Sequence, residues 1–154
     1  MKKILLFTLL YSFLSAFSIL SAQEYKKLRV GIGTGAGFNF ITGDSPYTLI
    51  YLEPGYRVSD HLLIGLRFQN SIGVQGRNIT SYGIAGQYYF SQKTFRPFVG
   101  LGMASYKEVS FESVYGLFGR VGFDVGHFTL MAESDNIIGY LNLKIGFTIG
   151  GGRK

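Results

Sequence analysis

The chain contains no cysteine, so neither a disulfide framework nor a thiolate metal centre can hold it. Histidine occurs only at His61 and His127, too few for a transition-metal cluster. No segment shows a helical period, and beyond residue 22 no run approaches the 18 or so apolar residues that a transmembrane helix requires. Lys and Arg outnumber Asp and Glu by 15 to 9, yet the basic residues are scattered and form no cluster of the kind that grips nucleic acid. Disulfide scaffolds, helical membrane proteins and nucleic-acid binders are thereby set aside.

Residues 1–22 stand apart. Met1-Lys2-Lys3 is positively charged, Ile4 to Leu20 is apolar, and Ser21-Ala22 offers small residues before Gln23. That order reads as a secretory signal peptide removed after Ala22; the competing reading is an uncleaved anchor. A mature chain from Gln23 to Lys154 is one domain by length, with a formal charge of +4 once Lys2 and Lys3 are gone. Without disulfides, such an exported domain must rest on its backbone ladder and its packing, which a closed barrel supplies.

The strongest pattern is a period of two. Along Leu28–Phe38, Leu, Val, Ile, Ala and Phe take one parity while Arg29 and four glycines take the other. Side chains alternate faces along a strand, so this is a sheet with two unlike sides. Eight such segments can be marked, at 28–41, 48–58, 62–69, 80–90, 96–104, 114–125, 128–133 and 140–149. The connections alternate between short (59–61, 91–95, 126–127) and mostly longer (42–46, 71–78, 105–112, 134–139), the habit of up-and-down outer-membrane barrels. Pro54 falls inside the second segment, where it cannot donate to a ladder, and it predicts a bulge or a shorter strand.

Charge decides which face meets water. Arg29, Glu53, Arg57, Arg67, Arg120, Asp124, Glu133 and Lys144 all share the polar parity, together with thirteen of the 22 glycines. The other parity holds no charge in these segments. Facing the charges to lipid would cost up to about 2–4 kcal/mol for each Lys or Arg near the midplane. The apolar parity therefore points outward, and the eight charges form a network in a crowded lumen. A soluble lipocalin-like barrel would instead carry a water-washed polar face rich in Lys, Glu, Thr and Gln. Aromatic residues gather near the segment ends as two girdles, Phe38, Phe40, Phe68, Tyr82, Tyr115 and Tyr140 at one rim and Tyr56, Tyr88, Phe90, Phe123, Phe128 and Phe147 at the other.

The stretches Gly55-Tyr56-Arg57-Val58-Ser59-Asp60-His61-Leu62, Gly86-Gln87-Tyr88-Tyr89-Phe90, Pro97-Phe98-Val99-Gly100-Leu101-Gly102 and Arg120-Val121-Gly122-Phe123-Asp124-Val125-Gly126 resemble the small outer-membrane β-barrel family, the OmpA/OmpX-like or porin-family group. The resemblance covers Gln23 to Lys154. It implies an all-β, eight-stranded antiparallel transmembrane barrel in the bacterial outer membrane, in contact with its lipid, delivered by the barrel assembly machinery, and monomeric. The family's last strand commonly ends in an aromatic residue used for assembly; here Phe147 is followed by Thr148, Ile149 and a glycine-rich tail.

Motifs for chemistry are thin. Gly31-Ile32-Gly33-Thr34-Gly35-Ala36 matches a dinucleotide fingerprint, but a strand end and a turn follow where a helix is required. Some barrels of this size modify lipid A with a His, a Ser and an acid at the outer rim. Here His61 and His127 both fall in short turns on the periplasmic side, where a histidine is usually just solvated, and neither has a Ser and acid in reach of a triad. No catalytic, cofactor-binding or metal residue is expected. The function expected is non-catalytic, an envelope structural or surface-interaction role through the outer loops, with an extracellular ligand as partner and no nucleic acid. The alternative is a narrow channel or transporter for small, including apolar, solutes. Counting back from the short turns sets Arg120 opposite Glu133 and Glu53 opposite Arg67, which predicts two Arg–Glu pairs within hairpins.

Overall fold

The computed structural model describes residues 27–39, 46–73, 78–108, 112–135 and 140–151. The signal peptide and cleavage point expected from residues 1–22, Phe40 and parts of the longer loops lie outside the described residues. Eight strands follow in chain order: β1 (Leu28–Asn39), β2 (Tyr47–Arg57), β3 (Leu62–Ile72), β4 (Asn78–Tyr89), β5 (Phe95–Glu108), β6 (Val114–Val125), β7 (Phe128–Asp135) and β8 (Tyr140–Gly150). Each pairs antiparallel with its sequence neighbours, and β8 returns to β1 with Ile32 opposite Phe147, so the barrel is closed and no edge is left. Both chain ends of the barrel and the short turns lie at one end; the longer connections lie at the other.

The alternation has the physical consequence expected of it. Leu28, Val30, Ile32, Leu101, Leu117, Ile145 and their kind are exposed on the outer wall, while the interior is lined by Arg, Glu, Gln, Tyr and Gly. Within the apolar band of the outer wall the Thr34 hydroxyl is tied down, donating to the Leu49 carbonyl at 2.7 Å. The strands exceed the marked segments most at the outer ends of β3 and β5. There the sequence turns polar on both parities, as in Ser105-Tyr106-Lys107-Glu108, and hydrophobic alternation fades although the ladder continues.

The β6–β7 turn is two residues long, with Val125 opposite Phe128 and Gly126 at φ 59°. A positive φ at the first turn position suits glycine and matches the twist of a tight hairpin.

Pro54 produces neither a bulge nor a shortened strand. On the β1 side it pairs with Val30 without interruption. On the β3 side the ladder runs from Leu52 opposite Phe68 to Gly55 opposite Gly65, in one register, skipping Glu53 and Pro54. No residue is inserted; one rung is missing because proline has no N–H to give β3. In a lipid-facing wall a carbonyl without its donor is costly. Pro54→Ala restores a donor and is expected to raise unfolding stability by about 0.5–1.5 kcal/mol. Denaturant unfolding of the two proteins in the same vesicles checks the sign, and a destabilised variant would mean that the fixed φ of proline outweighs the missing rung.

Candidate functional site

The site with the densest chemistry is the lumen. Arg29, Glu53, Arg57, Arg67, Arg120, Asp124, Glu133 and Lys144 are all buried there. Arg96 is a ninth buried charge that the sequence reading passed over, although it shares parity with Phe98, Gly100 and Gly102 on β5. That parity was the signal available for it.

Two clusters divide these charges along the barrel axis. Near the chain ends, the fully buried Asp124 carboxylate is shared by Arg29 at 3.2 Å and Arg96 at 3.5 Å. It also accepts from the Thr129 hydroxyl at 2.6 Å and the Tyr89 hydroxyl at 3.1 Å. Arg96 donates further to the carbonyls of Gly151 and Gly126. The Arg57 guanidinium lies 4.8 Å from the centre of the Tyr89 ring and donates to the Asp60 carbonyl. These contacts knit β1, β2, β4, β5, β6 and β7 together at the barrel mouth that carries the short turns.

At mid-barrel Glu133 is the hub. Arg67 reaches it at 2.6 Å, Lys144 at 2.8 Å and Arg120 at 2.9 Å. Arg120 also binds Glu53 at 2.8 Å. Arg67 is held further by the Ser81 hydroxyl and the Gln69 amide oxygen, both accepting at 2.9 Å. Phe118 lies between two guanidinium groups, with Arg67 and Arg120 at 4.8 and 4.9 Å from its ring centre.

Both expected registers occur around the turns, with Arg120 opposite Glu133 and the β2–β3 register in line with Glu53 against Arg67. The ion pairing differs. Arg120 does bind Glu133, but Glu53 pairs with Arg120 and Arg67 with Glu133, across the lumen. The reason is a reversal of sign between the two halves of the barrel. β2 and β3 carry Glu and Arg where β6 and β7 carry Arg and Glu, so each long side chain meets an opposite charge on the far wall.

The glycines serve the aromatics. Tyr51 on β2 lies over Gly33 on β1 and Gly146 on β8, where an added Cβ would collide with its ring or hydroxyl. Phe118 covers Gly102, its register partner, in the same way. A filled small barrel needs this alternation of large and absent side chains.

The turn histidines are not simply solvated. His61 Nδ1 is 2.7 Å from the Tyr89 carbonyl oxygen while the Tyr89 N–H donates to the His61 carbonyl at 2.7 Å, and its ring stacks on Tyr88. His127 does the same with Thr148, at 2.8 and 2.6 Å, stacking on Phe147. Each imidazole thus adds a clasp between a turn and the end of the next strand but one. Among the described residues neither imidazole is hydrogen-bonded to a serine hydroxyl or an acid: the ring partners are the Tyr89 carbonyl and the Gln92 amide for His61 and the Thr148 carbonyl for His127. Among the described residues no group of His, Cys, Asp or Glu could hold a metal ion. The glycine fingerprint lies in the middle of β1, which runs on as strand to Asn39, so the helix that would cradle a pyrophosphate is not there.

A closed eight-stranded antiparallel wall, apolar outside and packed with bonded charges inside, is the architecture of small transmembrane β-barrels. No protein-family model matches the sequence, and no curated protein matches it. Solved structures do share the fold. The chain is similar to neisserial surface protein A (TM-score 0.59, 14% identity, covering 79% of this chain and 94% of that one). It is also similar to a de novo designed transmembrane β-barrel (TM-score 0.54, 16% identity, 83% and 98%) and to the N-terminal β-barrel domain of Pseudomonas aeruginosa OprF (TM-score 0.50, 17% identity, 81% and 99%). The fold is that of the small outer-membrane β-barrels, and it is the fold alone that these identities carry.

Proposed function

We propose that the protein is a non-catalytic barrel of the bacterial outer membrane, exported by residues 1–22, with an envelope structural or surface-interaction role carried by the loops at its outer end. The observation that supports this reading best is the bonding of the lumen. Its charges bind one another and backbone carbonyls, and its aromatics cover glycines, so the interior serves to hold the wall together. A solute-conducting lumen would instead present charged groups to water. The apolar outer wall and the similarity to outer-membrane barrels of known structure support the location.

The experiment is reconstitution of the purified full chain in planar bilayers, with folding monitored as a change of SDS mobility on heating. A heat-dependent shift without porin-sized conductance is expected. A large steady ohmic conductance from folded, monodisperse protein would place the narrow-channel reading first. Whole cells carrying deletions within 73–77 or 109–113 then report which outer loop meets a ligand.

A further inference from the structure

The outer wall carries a polar row that neither the lumen nor the girdles account for. Register aligns Leu52, Phe68, Tyr82, Ser105 and Tyr115 across β2 to β6. Phe68 and Tyr82 meet edge to face at 6.1 Å, and with Tyr115 they are the girdle aromatics of this line. One row further out, the same register aligns Asn70, Thr80 and Lys107 on β3, β4 and β5. Rows on one face are two residues apart, about 6–7 Å, and directly opposed residues have Cβ atoms about 4.5–5.5 Å apart. An amide, a hydroxyl and an ammonium therefore stand side by side immediately above an aromatic belt.

Two features separate this row from an ordinary wet rim. Among the described strand residues, Lys107 is the one charge on the lipid-facing parity, and it is exposed, as is Asn70. The arrangement is also confined to one sector, since the outer ends of β8 and β1 present Leu141 and Phe38 opposite each other. Girdle aromatics sit at the headgroup level, so a group just beyond them meets the headgroup and not the acyl chains. Glu112 is exposed in the following connection, and Glu108 is next to Lys107 in the sequence. The attraction thus comes from the Lys107 ammonium itself and not from a broad positive field.

The geometry points to a docking site for the phosphorylated headgroup of an outer-leaflet lipid on Asn70, Thr80 and Lys107. All three side chains donate hydrogen bonds, and the phosphate oxygens accept them. The inference rests on the outer-membrane reading above and deepens its lipid contact into a specific one.

The test uses the full chain folded into phosphatidylcholine vesicles doped with a bisphosphorylated glucosamine glycolipid or its dephosphorylated counterpart, with bound lipid counted by native mass spectrometry after gentle extraction. The wild-type chain is expected to retain the phosphorylated form preferentially. Lys107→Gln should lower that retention about fivefold, the worth of one cation at a membrane surface. Adding Asn70→Ala and Thr80→Val should lower it further, whereas Lys93→Gln, in a turn at the opposite end, should not change it. Equal retention of the two glycolipids, or wild-type retention by Lys107→Gln, would overturn the site. Displacement by inorganic phosphate would also overturn it, because free phosphate would then be the ligand. Heat-dependent mobility of each variant separates the two levels. A wild-type chain that does not insert removes both this inference and the membrane reading, and inserted barrels with unchanged retention remove this inference alone.

Discussion

Glu133→Leu should cost roughly 3–5 kcal/mol of unfolding stability, the loss expected when one partner of a buried ion cluster is removed. Glu133 is 1% exposed and receives Arg67, Arg120 and Lys144 within 2.6–2.9 Å. Leucine nearly preserves volume, so the loss reports charge and not a cavity. Arg120 keeps Glu53, and Arg67 keeps Ser81 and Gln69. Among the described residues Lys144 is left with no other hydrogen bond or ion pair, only the Tyr51 ring face at 5.4 Å. The double change Glu133→Leu with Lys144→Met should therefore cost less than the sum of the two single changes, by more than about 0.5 kcal/mol. Denaturant unfolding in vesicles, followed by circular dichroism because the chain has no tryptophan, measures all three variants. A single-variant loss below about 1 kcal/mol would mean that water enters the lumen and screens the stranded cations.

Inside and outside were legible in the sequence because strand parity is a local property. A charge on the wrong parity would have to be solvated by lipid, so Arg29 and Lys144 report their side without any knowledge of their partners. Pairing across the lumen was not legible. It depends on closure, which brings β2 and β3 to face β6 and β7, and on the reach of arginine. Cross-strand arithmetic sees only the hairpin, and so it assigned Glu53 to Arg67 when Arg120 on the far wall is the better partner. Pro54 shows the same limit: the missing donor could be read from the sequence, but whether the strand answers with a bulge or a skipped rung depends on both neighbours. The outer ends of β3 and β5 went unread because, once clear of the apolar band, a strand no longer needs alternation to persist. Asn70 and Lys107 lie in those unread ends, Thr80 at the first residue of its marked segment, and their row becomes visible only when register aligns three strands.

The cluster at the short-turn mouth predicts an unequal response within one set of contacts. Asp124 is fully buried and is the single anion that the described residues place between Arg29 and Arg96. Asp124→Leu leaves both guanidinium groups without an ion-pair partner among the described residues and removes the acceptor of Thr129 and Tyr89, for an expected loss again of roughly 3–5 kcal/mol. The reciprocal changes should be milder, because the carboxylate left behind keeps the other arginine and two hydroxyl donors. Between them Arg29→Met should cost more than Arg96→Met. Arg29 donates to both carboxylate oxygens and to Thr129, whereas Arg96 stands at 3.5 Å and spends its other bonds on Gly126 and Gly151. The order Asp124→Leu, then Arg29→Met, then Arg96→Met, measured under one denaturant in one lipid, is the expected result. Equal losses for all three would mean that the cluster acts through packing alone. A larger loss for Arg96→Met than for Asp124→Leu would mean that its carbonyl bonds to the turn and the end of β8, and not the ion pair, close the mouth of the barrel.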